Sequence, residues 1–412
     1  TRPTFTPTLT ETPVLVQESP TPTIQPTQMA QALQLDVFES LWNAVHDTYL
    51  YPDFNGLDWD AIRVEYRQKI EAGLSNYDFY SAMKEMIDRL GDNHSAYLTP
   101  EEVTAERAVY LGQQDYVGIG ILSSAVPERS RALVLVVFPG SPAEEAGILP
   151  RDSILTVNGE SILDEDGYMK NLIRGPQGTQ VIIEVQTPGQ DSRLLTITRQ
   201  PIRGTMPLPN TVLTTSGGKR IGYIFIWGFQ DSTFPETFTK ILREMTADKP
   251  LDGLIIDGRN NSGGANTVVE PILANFTHGT VGYFFNRQSE RPLDLGEGVN
   301  IGNSQSMPLV VIVGTGTYSF GEIFAGILQD MGRAYLIGET TNGIVETLHS
   351  YGFQDGSRAW IANEAFRPLN HPDTTWEKVG VTPDLFIQSN LDEYQIQDDP
   401  AVLAGLEYFD TK

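Results

Sequence analysis

The sequence predicts a multidomain α+β protein: an N-terminal helical region, then a small β-rich module, then an α/β unit. Two observations carry this. At 412 residues the chain is too long for one ordinary domain. Its apolar pattern also changes twice, from helical spacing to short β runs and then to apolar strands alternating with helices. Apolar residues make up 40% of the chain, enough for several cores.

Residues 1–28, TRPTFTPTLTETPVLVQESPTPTIQPTQ, are mainly Thr and Pro with few apolar residues, the composition of an extended, disordered stalk. Stalks of this kind space a domain from a cell surface, so an extracytoplasmic location is expected, and the Thr1 start fits removal of a leader. In residues 29–106, Leu35, Phe38, Leu41, Trp42 and Val45 share a helical face. Further helices are expected over Ile62–Ile70 and Tyr77–Leu90, the last closed by Gly91 at C′. Residues 107–203 carry the short β runs YVGIGILSS, ALVLVVF, DSILTVNGE, VIIEVQT and LLTITRQ, with helical segments around Ala143–Ala146 and Tyr168–Ile173. Residues 204–390 alternate RIGYIFIWGF, LDGLIIDGR, PLVVIVG and AYLIGETT with helices, which indicates a largely parallel sheet covered on both faces. Residues 391–412 form a C-terminal segment.

Composition narrows the function. A formal net charge of −25 argues against a nucleic-acid partner, because phosphate binding needs surplus Lys and Arg. No run approaches the roughly 20 apolar residues of a membrane span. The absence of cysteine removes disulfides, thiolate nucleophiles and Cys-ligated zinc. There is no HExxH, no histidine pair at helical spacing and no EF-hand loop, so neither metal nor cofactor is expected.

Chemistry concentrates in a few stretches. Ser319 follows an apolar strand and opens a helix, in TYSFGEIFAGIL. With Glu322 it forms a capping box, a sufficient structural role by itself. A serine at a helix N-terminus also stands beside free amides and the positive dipole end, which suit a developing oxyanion. The turn NNSGGAN supplies Gly263 and Gly264.

The segment Gly118-Ile119-Gly120-Ile121, followed by FPGSPAEEAGILPRDSILTVNGESI, resembles a PDZ domain. In such a domain a glycine loop receives a peptide C-terminal carboxylate while the peptide adds a strand. Arg151 departs from the pattern, standing where Gly is usual. Around this module, GDNHSAYLTPEE, DGRNNSGGAN, TYSFGEIFAGILQDMGRAYLIGETT and VGVTPDL occur in an order that resembles the C-terminal processing, or tail-specific, serine proteases. The resemblance spans residue 32 to about 390. It implies a protease core of the ClpP/crotonase-like type, Ser319 as nucleophile, and an oxyanion hole from the amides of Gly263 and Phe320. Protein or peptide substrates with a free C-terminus would be recruited at Gly118, Ile119, Gly120 and Ile121.

One departure matters more. The family pattern GET-T-x-G-K-G-x-x-Q carries a lysine base, but this chain reads GETTNGIVET, with Ile344 at the lysine position. A serine hydroxyl needs a base. A tricorn-like branch of the broad family uses a histidine from the segment before the PDZ domain, supported by a glutamate. His94 in GDNHSAYL matches that histidine, and Glu346 in GIVET the glutamate, acting directly or through a hydroxyl such as Ser95. Histidine suits the role because its ordinary pKa lies near 6.5. Of the other histidines, His46 falls within a helix, His278 has no motif, and His349 and His371 are runner-up bases. Lys378 is a remoter substitute. The competing reading is an inactive peptide-binding homologue that retains only the PDZ-like groove.

Overall fold

The computed structural model describes residues 28–412 apart from Asn93, with the backbone alone for Gln114 and Asp115. The Thr/Pro-rich stretch therefore lies outside the described residues except for Gln28, whose side-chain amide donates to the Leu74 carbonyl at 2.8 Å.

Three helices open the described chain: α1 (Gln31–Thr48), α2 (Trp59–Glu71) and α3 (Asn76–Asp88). Asp58 and Ser75 cap the second and third by accepting the N–H groups of Ala61 and Asp78. Phe38, Leu41, Trp42 and Val45 are buried against Ile62, Tyr66, Ile70, Phe79 and Met83, with Leu35 at the margin. Gly91 takes a left-handed φ of 67°, two residues past the Arg89 cap rather than at C′.

Next come β1 (Ala96–Leu98), α4 (Pro100–Tyr110), β2 (Gln114–Gly118), β3 (Ile121–Val126), β4 (Arg131–Val137), α5 (Pro142–Glu145), β5 (Ser153–Val157), β6 (Glu160–Ser161), β7 (Gln180–Gln186), β8 (Arg193–Thr198) and β9 (Gln200–Gly204). The order β3-β4-β5-β7-β8 makes the sheet of the β-rich module, which has its own core of Ile119, Val134, Ile154, Ile183 and Ile197. On β4, Leu133 and Leu135 point the other way, into the main core, so this strand is shared between two cores. The helix expected around Tyr168–Ile173 is absent. Instead Asp164 Oδ1 accepts the N–H groups of Asp166 and Tyr168, Gly167 takes a φ of 85°, and Met169 bridges to Leu163. This Asx-type turn satisfies locally the amides a helix would need.

The remainder contains β10 (Asn210–Thr214), β11 (Arg220–Phe225), α6 (Phe234–Thr246), β12 (Gly253–Asp257), α7 (Asn266–Leu273), β13 (Gly279–Phe285), β14 (Glu290–Leu295), β15 (Leu309–Val313), α8 (Phe320–Asp330), β16 (Tyr335–Gly338), β17 (Thr347–Gly352), β18 (Arg358–Pro368), β19 (Leu385–Phe386) and α9 (Pro400–Asp410). The main sheet has the order β10-β11-β12-β15-β16-β19 and is parallel from β11 to β19, as the apolar strands predict. A second sheet, β1-β18-β13-β14 with β17 beside β18, is not foreseen by the sequence pattern. It joins the N-terminal helices to the α/β unit, since Ala359, Ile361 and Ala362 of β18 complete the helical core. Among the described residues no helix is long and apolar enough to cross a membrane.

A buried cluster ties the parts together. Arg259 binds Asp257 through both carboxylate oxygens, at 3.0 and 2.6 Å, and Asp399 Oδ2 at 2.7 Å. Arg151, the residue that departs from the PDZ pattern, reaches from the module to Asp399 Oδ2 at 2.8 Å and the Tyr223 hydroxyl at 3.2 Å. Burial pushes the Asp399 carboxyl up, but the two guanidinium groups and Ser389 outweigh it and hold it at about 2. Removing one partner strands a buried charge, so Arg151→Leu is expected to lower stability by about 3 kcal/mol in urea unfolding. A loss below about 1 kcal/mol would show that the contact adds little. Asp399 is depressed in the folded state, so its contribution, about 2 kcal/mol, is present above pH 4 or so and is lost as the pH falls through about 2. The stability difference between wild type and Asp399→Asn should shrink across that window.

Candidate active site

The nucleophile candidate sits on a strained turn. Between β15 and α8, Ser319 adopts φ 51° and ψ −125°, a conformation that side chains rarely accept and glycine readily does. Three contacts hold it there. The Ser319 N–H donates to the Ile344 carbonyl at 2.8 Å and to Glu322 Oε2 at 3.2 Å, and the Glu322 N–H returns to the Ser319 carbonyl at 2.9 Å. Such a strand–turn–helix elbow lifts a serine side chain clear of the sheet.

Glu322 does more than cap. Fully buried, it also accepts the Thr341 hydroxyl at 2.5 Å and the N–H groups of Gly343 and Ile344 at 2.7 and 2.9 Å. It thereby clamps the 341–344 loop to the serine turn. Burial raises its carboxyl above the usual range despite these four donors.

Gly263 lies against the serine. Its φ is 77°, and an added Cβ would meet the Ser319 Cβ at 2.8 Å and the Phe320 amide nitrogen at 3.0 Å. The Phe320 N–H has no acceptor among the described residues, whereas the Gly263 N–H donates to Asn261 Oδ1 at 2.9 Å. Of the two expected oxyanion donors, one is free and one is engaged. Asn261 carries no sequence signal beyond its place in the glycine turn.

His94 and Glu346 come together as well. His94 sits just before β1, where Asp92 accepts its N–H at 2.9 Å and the Ser95 N–H at 2.8 Å. Its Nδ1 lies 3.6 Å from Glu346 Oε2, with His94 largely and Glu346 almost wholly buried. Ser95 is not an intermediary, because its hydroxyl donates to Asp92 and accepts from the Ala362 N–H. The Glu346 Oε1 accepts the Tyr51 hydroxyl at 2.7 Å. Two residues upstream, the Ile344 carbonyl holds the Ser319 N–H, so one short strap links the carboxylate to the serine turn.

The other bases are placed elsewhere. His46 stacks on Trp42. His349 pairs with Glu364 at 3.2 Å, and His371 with Asp330 at 2.7 Å, at the far end of α8 from Ser319. Lys378 binds the Gly343 carbonyl through its N–H and holds its amine 5.7 Å from the Tyr51 ring. In the β-rich module, Ile119 is buried and its carbonyl accepts the Ala143 N–H, while the Gly120 carbonyl accepts from Phe138. Gly120, at φ 85°, packs against Ser141 too closely for a side chain. Gly118 ends β2 and Ile121 begins β3, so the four residues form the entry to that strand. Among the described residues no group of His, Asp and Glu is arranged to hold a metal ion.

Comparison with known proteins decides the family. Residues 220–387 match peptidase family S41, residues 35–88 the tricorn protease C1 domain and residues 133–187 a PDZ domain. A carboxyl-terminal-processing protease of Synechocystis is 30% identical over 359 residues, covering 85% of this chain and 80% of the relative. The chain belongs to the carboxyl-terminal-processing proteases of family S41. It is a serine peptidase with N-terminal helices, a PDZ domain and an S41 core. The C-terminal processing peptidase of the Tetradesmus obliquus chloroplast is 29% identical over 382 residues, covering 87% of this chain and 78% of its own. Among solved structures, the photosystem II D1 C-terminal processing protease is 26% identical with a TM-score of 0.57, covering 87% of this chain and 94% of that one. Tricorn protease, at 19% identity and a TM-score of 0.52, shares the fold over 92% of this chain and 37% of its own.

The strain at Ser319 in this S41 peptidase is measurable. Backbone strain of this kind costs about 1–3 kcal/mol, and glycine relieves it. Ser319→Gly should therefore be more stable than Ser319→Ala by about 1 kcal/mol in denaturant unfolding. An alanine variant as stable as the glycine variant would show the turn to be unstrained.

Proposed function

We propose that this serine peptidase works through Ser319, His94 and Glu346 rather than a serine–lysine dyad. The observation that carries the proposal is the His94–Glu346 pair, 3.6 Å apart, on a strap whose other end holds Ser319. That separation exceeds a hydrogen bond, as it often does before substrate binds. With Nδ1 toward Glu346, Nε2 of His94 is left to accept the Ser319 proton. The Ser319 oxygen then attacks the scissile carbonyl while the amides of Phe320 and Gly263 stabilise the oxyanion, the latter on leaving Asn261. Collapse expels the amine with the proton from His94. Water, deprotonated by His94, hydrolyses the acyl-enzyme. Ile344 lends its backbone to the serine and offers no proton acceptor.

Substrates are proteins or peptides with a free C-terminus, received at Gly118–Ile121 of the PDZ domain. The division of labour follows residues 29–106, 107–203 and 204–390, with 391–412 as a C-terminal segment and 1–28 as a stalk. The Thr/Pro composition of that stalk supports an extracytoplasmic location. Fractionation of the source cells should recover the protein outside the cytoplasm, and recovery within it would refute that placement.

A fluorophosphonate probe tests the mechanism. Wild type should label, and both Ser319→Ala and His94→Ala should lose at least about 100-fold in labelling rate. Full labelling of His94→Ala would remove His94 as base. An unlabelled wild type, even with a tailed peptide present, would favour the inactive peptide-binding homologue. Amidating the C-terminus of a cleaved peptide should raise KM more than it lowers kcat.

A further inference from the structure

A second carboxylate stands beside Glu346, and the mechanism above does not use it. Glu377, in the segment between β18 and β19, accepts the Val345 N–H on Oε2 at 2.9 Å, and its carboxyl faces that of Glu346 within hydrogen-bonding reach. Glu346 is 2% exposed, and its Oε2 accepts no hydrogen bond from an N–H or O–H donor among the described residues. The buried His94 Nδ1 lies 3.6 Å from the same oxygen, also without a hydrogen bond. Tyr51 occupies Oε1, Lys378 places its amine over the Tyr51 ring, and Asp92 and Tyr49 close the group of titratable residues.

Two carboxyl groups in contact, one of them almost wholly buried, do not both ionise, so one carries a proton. We propose that Glu377 is a positioning residue of this site, a neutral carboxylic acid whose O–H donates to Glu346 and holds that carboxylate toward His94. The proposal rests on the Ser319–His94–Glu346 reading. Glu346 is the partner that keeps the charge: burial raises its carboxyl, but His94, Glu377 and Tyr51 outweigh burial and hold it below the ordinary range. For Glu377, burial and then the facing Glu346 push the carboxyl up to about 8, against the pull of the Val345 N–H. The stability contributed by this neutral carboxyl is complete below the ordinary glutamate value and is lost progressively as the pH rises to about 8. Above it, two adjacent negative charges push Glu346 out of place.

A pH profile separates this role from a merely structural one. Probe acylation is followed between about pH 6 and about pH 10 for wild type, Glu377→Gln, Glu377→Leu and His94→Ala. Wild type should lose rate as the pH rises through about 8. Glu377→Gln, which keeps a neutral donor, should retain the neutral-pH rate within about threefold and lose that alkaline limb. Glu377→Leu, which loses the donor and the acceptor of the Val345 N–H, should fall at least about tenfold at neutral pH while staying folded by circular dichroism at the assay temperature. The infrared difference between wild type and Glu377→Gln should contain a protonated-carboxyl band at neutral pH that disappears through about 8. The proposal is overturned by the same alkaline limb in Glu377→Gln as in wild type, or by absence of the band. A wild-type rate in His94→Ala overturns the catalytic reading instead, and the infrared band, read without turnover, tells the two failures apart.

Discussion

Two arginines and two aspartates buried in one cluster fix how the parts of this protein meet. Asp257 ends a central strand, and Arg259 opens the turn that leads to Gly263. Asp399 caps α9 by accepting the N–H groups of Ala401 and Val402, and Arg151 arrives from the PDZ domain. Taking four charges from water is costly, and the gain is complete only when every partner is present. Partial assembly leaves a charge unpaired, so the cluster penalises any arrangement in which the PDZ domain, the C-terminal helix or the glycine turn is displaced. The departure of Arg151 from the PDZ pattern thus acquires a physical reason, since a glycine there could not reach Asp399.

The turn around Ser319 has the same character on a smaller scale. Glu322 gathers four donors from the serine turn and the 341–344 loop, so the unfavourable dihedral angles of Ser319 are held by hydrogen bonds rather than by packing alone. Beyond that loop, the strap continues to Glu346 and into β17, which pairs with β18. On the other edge of β18 lies β1, immediately after His94. One long strand therefore registers a histidine and a glutamate that the sequence separates by some 250 residues.

What was legible in the sequence follows from this geometry. The parallel strands around Ile255 and Val311 are apolar on both faces, and the helix around Phe38 repeats its apolar residues at helical spacing, so local pattern identifies them. The second sheet escaped because β1 has three residues and its pairing with β18 is non-local. The expected helix at Tyr168–Ile173 failed because one aspartate, Asp164, offers the backbone a competing turn. In the site, Ser319, Phe320 and Gly263 belong to compact motifs. Tyr51 and Glu377 meet Glu346 only through the tertiary fold, Tyr51 from 295 residues away, and nothing in their local sequence marks them.

Losing the family lysine changes more than the identity of a base. A lysine at position 344 would lie on the same loop that Glu322 clamps to the serine turn, so a dyad could form within the α/β core alone. The proposed histidine instead belongs to the N-terminal region, and its position depends on the β1–β18 pairing and on Asp92. An imidazole base differs from a neutral lysine amine in needing a carboxylate to orient it and to stabilise its protonated form. That carboxylate, Glu346, must then be kept ionised while buried. Tyr51 donates to it, and in the proposed arrangement Glu377 does so as well, two neutral donors that stabilise a charge without competing with His94 for it. The polar groups gathered around Glu346 are thus what the proposed histidine base asks of this fold.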